Sequence, residues 1–210
     1  MKFTFLKNLA AVAVIALTLC GCVSKVNLSE VLQQPQDAAV RTRYHLWYTD
    51  AAKVSPLNIM QGSFIPAGTA IEPVAIERGT YDMWGSVSVT DGSIKFRTLP
   101  DNKEFTIVYD ERLTMMPIEE FLRNYFTADP KLNVYAQVPA NELERVKAGR
   151  IELKMHDSSV LVVLGPPAKS RTSQITNQSW LYWKSPDVVF RLIFRKNVIR
   201  HIGSLDDLDF

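Results

Sequence analysis

The residues with the clearest chemistry lie near the start of the chain, where Leu19-Cys20-Gly21-Cys22 holds both cysteines of the protein. A thiol is a nucleophile that can be covalently modified, and a small residue before it lets the chain lie extended in a peptidase cleft. The cysteines are preceded by Lys2 and Lys7 and then by an apolar run of 11 residues, Leu9 to Leu19. A bilayer-spanning helix needs about 20 apolar residues, so this shorter run is typical of a secretory signal peptide. We predict a signal peptide over residues 1–21 and a modified cysteine after it.

The Leu19-x-Gly21-Cys22 spacing resembles the lipobox of bacterial lipoproteins. The resemblance implies that a diacylglycerol joins the thiol of Cys22, that the leader is cut before it, and that the new amino group is acylated. Cys20 is the alternative position, although bulky Leu19 precedes it, and an ordinary secreted protein with an incidental cysteine is another. The residues that follow the cysteine are Val23 and Ser24, so the second position does not carry the aspartate that would act as an inner-membrane retention signal. We expect a lipid anchor in the outer membrane and a body that faces the periplasm.

The three histidines, His45, His156 and His201, do not form a metal-binding motif. No two of them stand at ligand spacing, and the chain beyond Cys22 has no cysteine that could join them. The sequence also lacks a phosphate-binding loop, because the prolines of Gly165-Pro166-Pro167 have no backbone N–H to donate. We therefore predict neither a metal site nor a cofactor.

The run His156-Asp157-Ser158-Ser159 contains the residue types of a hydrolase site. A serine nucleophile needs a base that a third group holds at hydrogen-bond distance, whereas adjacent residues of these types are common at the start of a helix. Glu119 and Glu120 are adjacent as well, and neighbouring residues on a helix point in different directions. We interpret both groups as helix starts and predict no catalytic residue and no enzymatic activity.

Removal of residues 1–21 would leave a body without net charge. The chain has 24 basic and 22 acidic residues, and the leader contains Lys2 and Lys7 but no acidic residue, so 24 − 2 = 22 basic residues remain. Proteins that bind nucleic acids need an excess of positive charge to displace counterions. We therefore predict no nucleic-acid partner.

The sequence after Cys22 divides into three parts. Residues 22–39 are polar and indicate a tether. Residues 40–130 predict a β-rich domain, a small sheet or an SH3-like barrel, in which two alternating runs at 94–98 and 105–109 form a hairpin. This domain ends in a helix over Pro117–Thr127, which has an apolar stripe made of Ile118, Phe121, Leu122 and Tyr125.

The last part, residues 131–210, predicts helices followed by strands. One helix is expected over Asn141–Ala148, whereas the pattern over Asp157–Leu164 fits a buried strand and a helix equally well. Alternation predicts strands around Trp180–Trp183, Val188–Arg195 and Val198–Ile202, with a tight turn at Lys196-Asn197. We expect one exposed sheet face that could bind a protein, because arginine and tryptophan are typical of binding hot spots. Its candidate residues are Trp183, Arg191, Arg195 and Arg200.

The C-terminal third resembles the SmpA/OmlA family, the small lipoproteins of the outer-membrane β-barrel assembly machine. The match covers about residues 142–202 and rests on Ile151, Met155, Val160, Leu164-Gly165-Pro166, Trp180-x-Tyr182 and Phe194. The resemblance implies two helices followed by a three-stranded antiparallel sheet, and thus a helix at Asp157–Leu164. The sequence departs from the family at Lys154 and Asn197, where glycine is usual.

These observations predict an α+β, membrane-anchored protein with a non-catalytic binding or assembly role in the cell envelope. Envelope proteins are the expected partners, with subunits of the barrel-assembly machine among them. One alternative is an inhibitor or sequestering protein for a periplasmic enzyme, since such a domain can present a flat sheet to a cleft. The other alternative is an envelope hydrolase that acts on glycan or peptide.

Overall fold

The computed structural model describes residues 24–35, 37–81, 88–172, 175 and 178–204. Within these residues five short helices combine with four antiparallel sheets, which confirms the predicted α+β class. The apolar side chains form two buried clusters, one beneath the largest sheet and one beneath the C-terminal sheet.

The largest sheet is open and five-stranded. Its strands are β1 Val40–Thr42, β4 Ala70–Glu77, β7 Gly92–Thr98, β8 Glu104–Tyr109 and β9 Phe126–Thr127, and they pair in the order β8-β7-β4-β1-β9. The predicted hairpin is present as β7 and β8, in which Phe96 is paired with Phe105 and Ile94 with Ile107. Asn102 adopts a positive φ of 55° in the connecting turn, a conformation that asparagine tolerates well.

Two helices connect β8 to β9 and cover the first core. Helix α2 (Glu111–Thr114) begins after Asp110, whose carboxylate accepts the N–H of Arg112. Helix α3 (Ile118–Tyr125) is the predicted amphipathic helix, and all four residues of its apolar stripe are buried. Burying side chains of this size contributes roughly 1.5–3 kcal/mol each, so the stripe holds α3 against the sheet.

Part of the predicted tether is packed against the folded domain. The N–H of Val26 donates to the carbonyl of Ile76, and the N–H of Arg78 donates to the carbonyl of Ser24. Helix α1 (Leu28–Leu32) follows, and Leu28 is buried in the first core. The polar composition of this segment concealed Val26 and Leu28, the two apolar residues that fix it in place. The segment from Ser24 to Leu32 is therefore part of the folded body and not of a free tether.

The C-terminal part contains α4 (Leu143–Lys147) and α5 (Asp157–Leu164), which pack together ahead of a three-stranded antiparallel sheet. Its strands are β10 Ser179–Ser185, β11 Val188–Arg195 and β12 Val198–Ser204, paired in chain order. Lys196 and Asn197 both have positive φ, as the tight two-residue turn between β11 and β12 requires.

A hairpin from the N-terminal half completes the C-terminal core. It consists of β2 (Leu46–Tyr48) and β3 (Ser63–Ile65), and Trp47 is buried among residues of α5 and the C-terminal sheet. The remaining small sheet pairs β5 (Thr80–Tyr81) with β6 (Ser88–Thr90). The architecture is therefore not a β-rich segment simply followed by a two-helix, three-stranded domain. The second core draws on both sides of the boundary predicted at residues 130 and 131.

The hairpin is held by hydrogen bonds to the end of α5. The last carbonyls of a helix have no partner within the helix, and residues of the hairpin supply the donors here. The N–H of His45 reaches the carbonyl of Val162, and the indole N–H of Trp47 donates to that of Val163 at 2.8 Å. Asn58, also buried, donates to the carbonyl of Leu164 at 2.7 Å. These bonds explain why this loop-rich segment lies beneath α5.

Candidate functional site

A buried carboxylate joins the two C-terminal helices. Glu142, at the start of α4, is 1% exposed. Its two oxygens accept the backbone N–H of His156 at 3.0 Å, the Nδ1–H of the same residue at 2.7 Å, and the hydroxyl of Ser159 at 2.5 Å. A side chain at the start of α4 therefore accepts hydrogen bonds from the first turn of α5.

This arrangement is a helix cap built from two helices. In a capping box, the third residue of a helix reaches back to the N–H of the capping residue. Here Glu142 binds the N–H of the capping residue His156, and Ser159, the third helical residue, donates to the same carboxylate. Burial opposes ionisation of Glu142, but the hydrogen bonds from Ser159 and His156 outweigh burial and lower the pKa. The carboxylate is therefore charged at neutral pH.

The same geometry argues against a serine nucleophile at this place. Within the described structure the hydroxyl of Ser159 is bound to Glu142 and that of Ser158 donates to the carbonyl of Gln137 at 2.8 Å. Neither hydroxyl is hydrogen-bonded to the ring of His156, whose Nδ1 is occupied by Glu142. The carboxylate beside Ser159 is a base, but Ser159 is 0% exposed and its hydroxyl cannot meet a substrate, whereas Ser158 is bonded to a carbonyl that cannot take its proton. The interpretation as a helix start accounts for both residues.

His45 is a second buried titratable group. Its Nδ1 accepts the N–H of Ala67 at 2.8 Å, and its Nε2–H donates to the carbonyl of Val146 at 2.8 Å. The ring also stacks on Phe64, with the centroids 4.5 Å apart. Both nitrogens are satisfied only in the neutral ring. Burial lowers the pKa of His45, and the bond to Val146 opposes this only in part.

Lowering the pH from 7.5 to 5.5 is expected to destabilise the folded chain through His45. Because its pKa is lowered in the folded state, the unfolded chain takes up a proton first, near the ordinary value of 6.5. The contribution of His45 to the free energy of unfolding is fully present above pH 6.5. It decreases as the pH drops toward the folded-state pKa, by at most about 1.4 kcal/mol per pH unit. Urea unfolding at both pH values measures the effect.

The variant His45→Gln removes the titrating ring and is expected to flatten the stability profile between pH 5.5 and 7.5. His201→Gln is the matched control, because the side chain of His201 is exposed, and it should keep the wild-type pH dependence. If His45→Gln kept the full pH dependence, the assignment to His45 would be wrong.

The four residues of the predicted sheet face differ in how far they are exposed to solvent. Trp183 is only 9% exposed, so the prediction of an exposed tryptophan is wrong. The guanidinium of Arg171 lies over its ring at 5.9 Å, and the strand register shifts next to it. A side chain covered in this way cannot serve as an accessible anchor for a partner.

The three predicted arginines remain at the surface of the sheet. Arg191 is half-buried between Leu181 and Gly203 on the neighbouring strands. Its Nε is enclosed and has no hydrogen-bond partner among the residues that the structure describes. Arg195 and Arg200 are exposed and line one open cavity beside the turn of β11 and β12. The register of β11 and β12 shifts at this point, so that Arg200 has no paired residue on β11 and lies beside the cavity.

Positive charge is concentrated in this part of the chain. Residues 158–204 contain seven basic residues and one acidic residue, Asp187, so their net charge is 7 − 1 = +6. Six of the seven form no ion pair with any residue that the structure describes. The seventh, Lys169, is paired with Glu120. The six unpaired residues, called the cationic group below, are Arg171, Lys184, Arg191, Arg195, Lys196 and Arg200.

Sequence reasoning missed several members of these sites. Glu142 was not singled out, because nothing in the neighbouring sequence signals that its carboxylate meets a helix start 14 residues later. For His45 the sequence predicted only that it takes no part in a metal-binding motif, and no local pattern indicated its burial. The cationic group did have a sequence signal, the charge of residues 158–204, which the neutral total charge of the body concealed.

The lipidation candidate Cys22 lies outside the residues that the structure describes. No cluster of histidine, cysteine and carboxylate residues suited to a metal ion is found in the described ranges. None of the helices in the described part of the chain has the length and apolar character needed to span a bilayer. Comparison of the chain with family models, curated proteins and solved structures gave no match.

Proposed function

We propose that this chain is a lipoprotein of the outer membrane whose periplasmic body binds another envelope protein and performs no chemistry itself. The observation that carries the proposal is the cationic group, six basic side chains on and around the three-stranded sheet that form no ion pair with the residues in the described ranges. Arginine is enriched at binding hot spots, and complementary charge speeds the encounter of partners.

Three arginines of the cationic group lie on the sheet itself. Arg191 is half-buried, and its Nε has no hydrogen-bond acceptor among the residues that the structure describes. The neighbouring Arg195 and Arg200 are exposed and free to form charge-assisted hydrogen bonds.

The class of partner follows from the resemblance to the SmpA/OmlA family. That resemblance covers about residues 142–202, a part of the chain that is α+β in the structure and that the hairpin of β2 and β3 extends. We propose subunits of the barrel-assembly machine as partners within the envelope. Because a fold hosts many functions, the site and not the fold carries the proposal.

The proposed anchor would hold the body close to the membrane. Ser24 is bonded to Arg78 and Val26 to Ile76, so the chain is fixed two residues after Cys22. An extended chain spans at most about 3.6 Å per residue, which limits the distance from Cys22 to Ser24 to roughly 7 Å. A lipid on Cys22 would therefore restrict which partners the sheet can reach to proteins at the membrane surface.

Photo-crosslinking in intact cells tests the binding role. A photoreactive residue at position 195 is expected to capture one envelope protein well above background, because this position lies within the cationic group. The control carries the same photoreactive residue at position 99, an exposed leucine between β7 and β8, and should capture only background. Adding Arg200→Glu should reduce the crosslink from position 195 about tenfold, since it reverses a neighbouring charge. Equal capture at positions 195 and 99 would contradict the proposal.

A further inference from the structure

An apolar groove opens at one end of the three-stranded sheet. It has a volume of about 440 Å³, and Met60, Ile151, Phe190 and Ile202 contribute its apolar lining, with Lys184 on its wall. Met60 is placed there by the hairpin, since its N–H donates to the carbonyl of Trp183 at 3.0 Å. The groove thus lies where the segment before β3 meets the sheet.

Large apolar side chains are exposed around the groove. Val188 and Ile202 line it, and they are 45% and 36% exposed. Leu153, 57% exposed, precedes Lys154, whose N–H donates to the carbonyl of Ile199 in β12. Exposed apolar side chains that line a groove, as Val188 and Ile202 do, are typical of an interaction site.

The groove adjoins an open strand edge. Strand β12 forms one edge of its sheet, and residues 154–157 cover only its first part, through bonds to Asn197 and Ile199. Among the residues that the structure describes, residues 200–203 make no backbone hydrogen bond outside their own sheet. An open edge of this kind can accept an added strand.

Positive charge predominates beside the edge, because residues 184–204 contain five basic residues and one acidic residue, Asp187. Lys184 lies in the groove and Arg200 on β12, and neither has an ion-pair partner in the described part of the chain. On the other wall of the groove, Ile151 is followed in the chain by the acidic residue Glu152. The carboxylate of Glu152 is paired with Arg145 at 3.6 Å. A segment with carboxylates therefore complements this surface, and a basic segment does not.

We infer that this groove and edge bind an extended acidic segment of a partner protein, which adds to β12 as a further strand. An apolar side chain of the segment fills the groove, and its carboxylates face Lys184 and Arg200. A polypeptide fits better than an anionic lipid, because only a polypeptide offers the row of N–H and C=O groups that a strand edge binds. The inference rests on the proposed binding role and specifies the kind of partner.

Binding of a synthetic peptide tests the inference with the full chain purified in detergent. The probe is a fluorescent Glu-Val-Glu-Leu-Glu-Val-Glu peptide, and its partner probe has lysine in place of every glutamate. Fluorescence anisotropy should show saturable binding of the acidic peptide and at least tenfold weaker binding of the basic one. Hydrogen exchange of the amides at 200–203 should slow by a similar factor when the acidic peptide is bound.

Two variants localise the binding. Ile202→Glu places a negative charge in the groove, where it repels the carboxylates of the peptide, and is expected to weaken peptide binding about tenfold or more. Leu99→Glu makes the same kind of change at an exposed leucine after β7 and should leave binding unchanged. Equal effects of the two variants, or no binding of the acidic peptide, would overturn the inference.

Vesicles provide the remaining arm of the experiment. If vesicles of phosphatidylglycerol bind the wild-type chain and lose binding in Ile202→Glu, while the acidic peptide does not bind at all, the surface is assigned to lipid and the inference is overturned. If crosslinking from position 195 captures a protein but the acidic peptide fails to bind, the binding role stands and only the groove assignment falls.

Discussion

Replacing Cys22 with alanine is expected to abolish incorporation of a clickable fatty acid into this protein, whereas the wild-type chain is strongly labelled. The proposed anchor forms on the Cys22 thiol, and no cysteine follows it in the chain. Each buried methylene contributes about 0.8 kcal/mol to membrane binding, and more than one acyl chain makes the anchoring stable. The variant should therefore also leave the membrane fraction. In-gel fluorescence and cell fractionation measure the two effects.

Cys20→Ala is the matched control, because it removes the other thiol of the same short segment. It should retain the label and the membrane location. Loss of label in Cys20→Ala with retention in Cys22→Ala would move the anchor to Cys20. Absence of label from the wild-type chain would contradict a lipid anchor, and the proposed envelope role would lose its basis.

Glu142→Ala is expected to lower the free energy of unfolding by about 3 kcal/mol, because it leaves the buried hydroxyl of Ser159 and the partly buried donors of His156 without an acceptor. For a chain of this size the midpoint of thermal unfolding should fall by roughly 6–12 °C. The lowered pKa of Glu142 adds a pH effect: its contribution is present above the ordinary value of 4.5 and is lost as the pH falls through the folded-state pKa. Circular dichroism during heating measures the midpoint.

Glu144→Ala is the control for this change, since Glu144 lies on the same helix but is exposed and paired only with Lys147. Exposed pairs contribute little, so its effect should stay within about 0.5 kcal/mol. Ser159→Ala, which removes one of the donors, should give an intermediate loss near 1 kcal/mol. A midpoint for Glu142→Ala that matches Glu144→Ala would show that the buried carboxylate does not hold α4 to α5.

The elements with strong local patterns could be predicted from the sequence. The stripe of α3 and the hairpin of β7 and β8 are where periodicity and turn residues placed them. Each of these signals comes from residues within one element, so no knowledge of distant parts was needed. The segment Asp157–Leu164 had no such signal, because it is buried on nearly all sides, and its apolar residues fit a strand as well as a helix.

The candidate site could be predicted only in part. Arg195 and Arg200 are exposed as expected, since charged side chains on an edge strand and beside a turn are solvated almost wherever the sheet packs. Trp183 was misplaced because alternation assigns it to the outer side but cannot show that Arg171 lies over that side. The groove was missed because Met60 comes from a part of the chain far from β11 and β12.

The amino-acid sequence alone determined the local elements, the charge of each segment and the thiol that could carry a lipid. These properties depend on neighbouring residues and survive any arrangement of the rest. Only the tertiary structure decided that the hairpin of β2 and β3 belongs to the C-terminal core. Its hydrogen bonds to α4 and α5 join residues 101 to 116 positions apart. Such bonds form only after the backbone has folded, because a carbonyl at the end of a helix accepts whichever donor the packing brings to it.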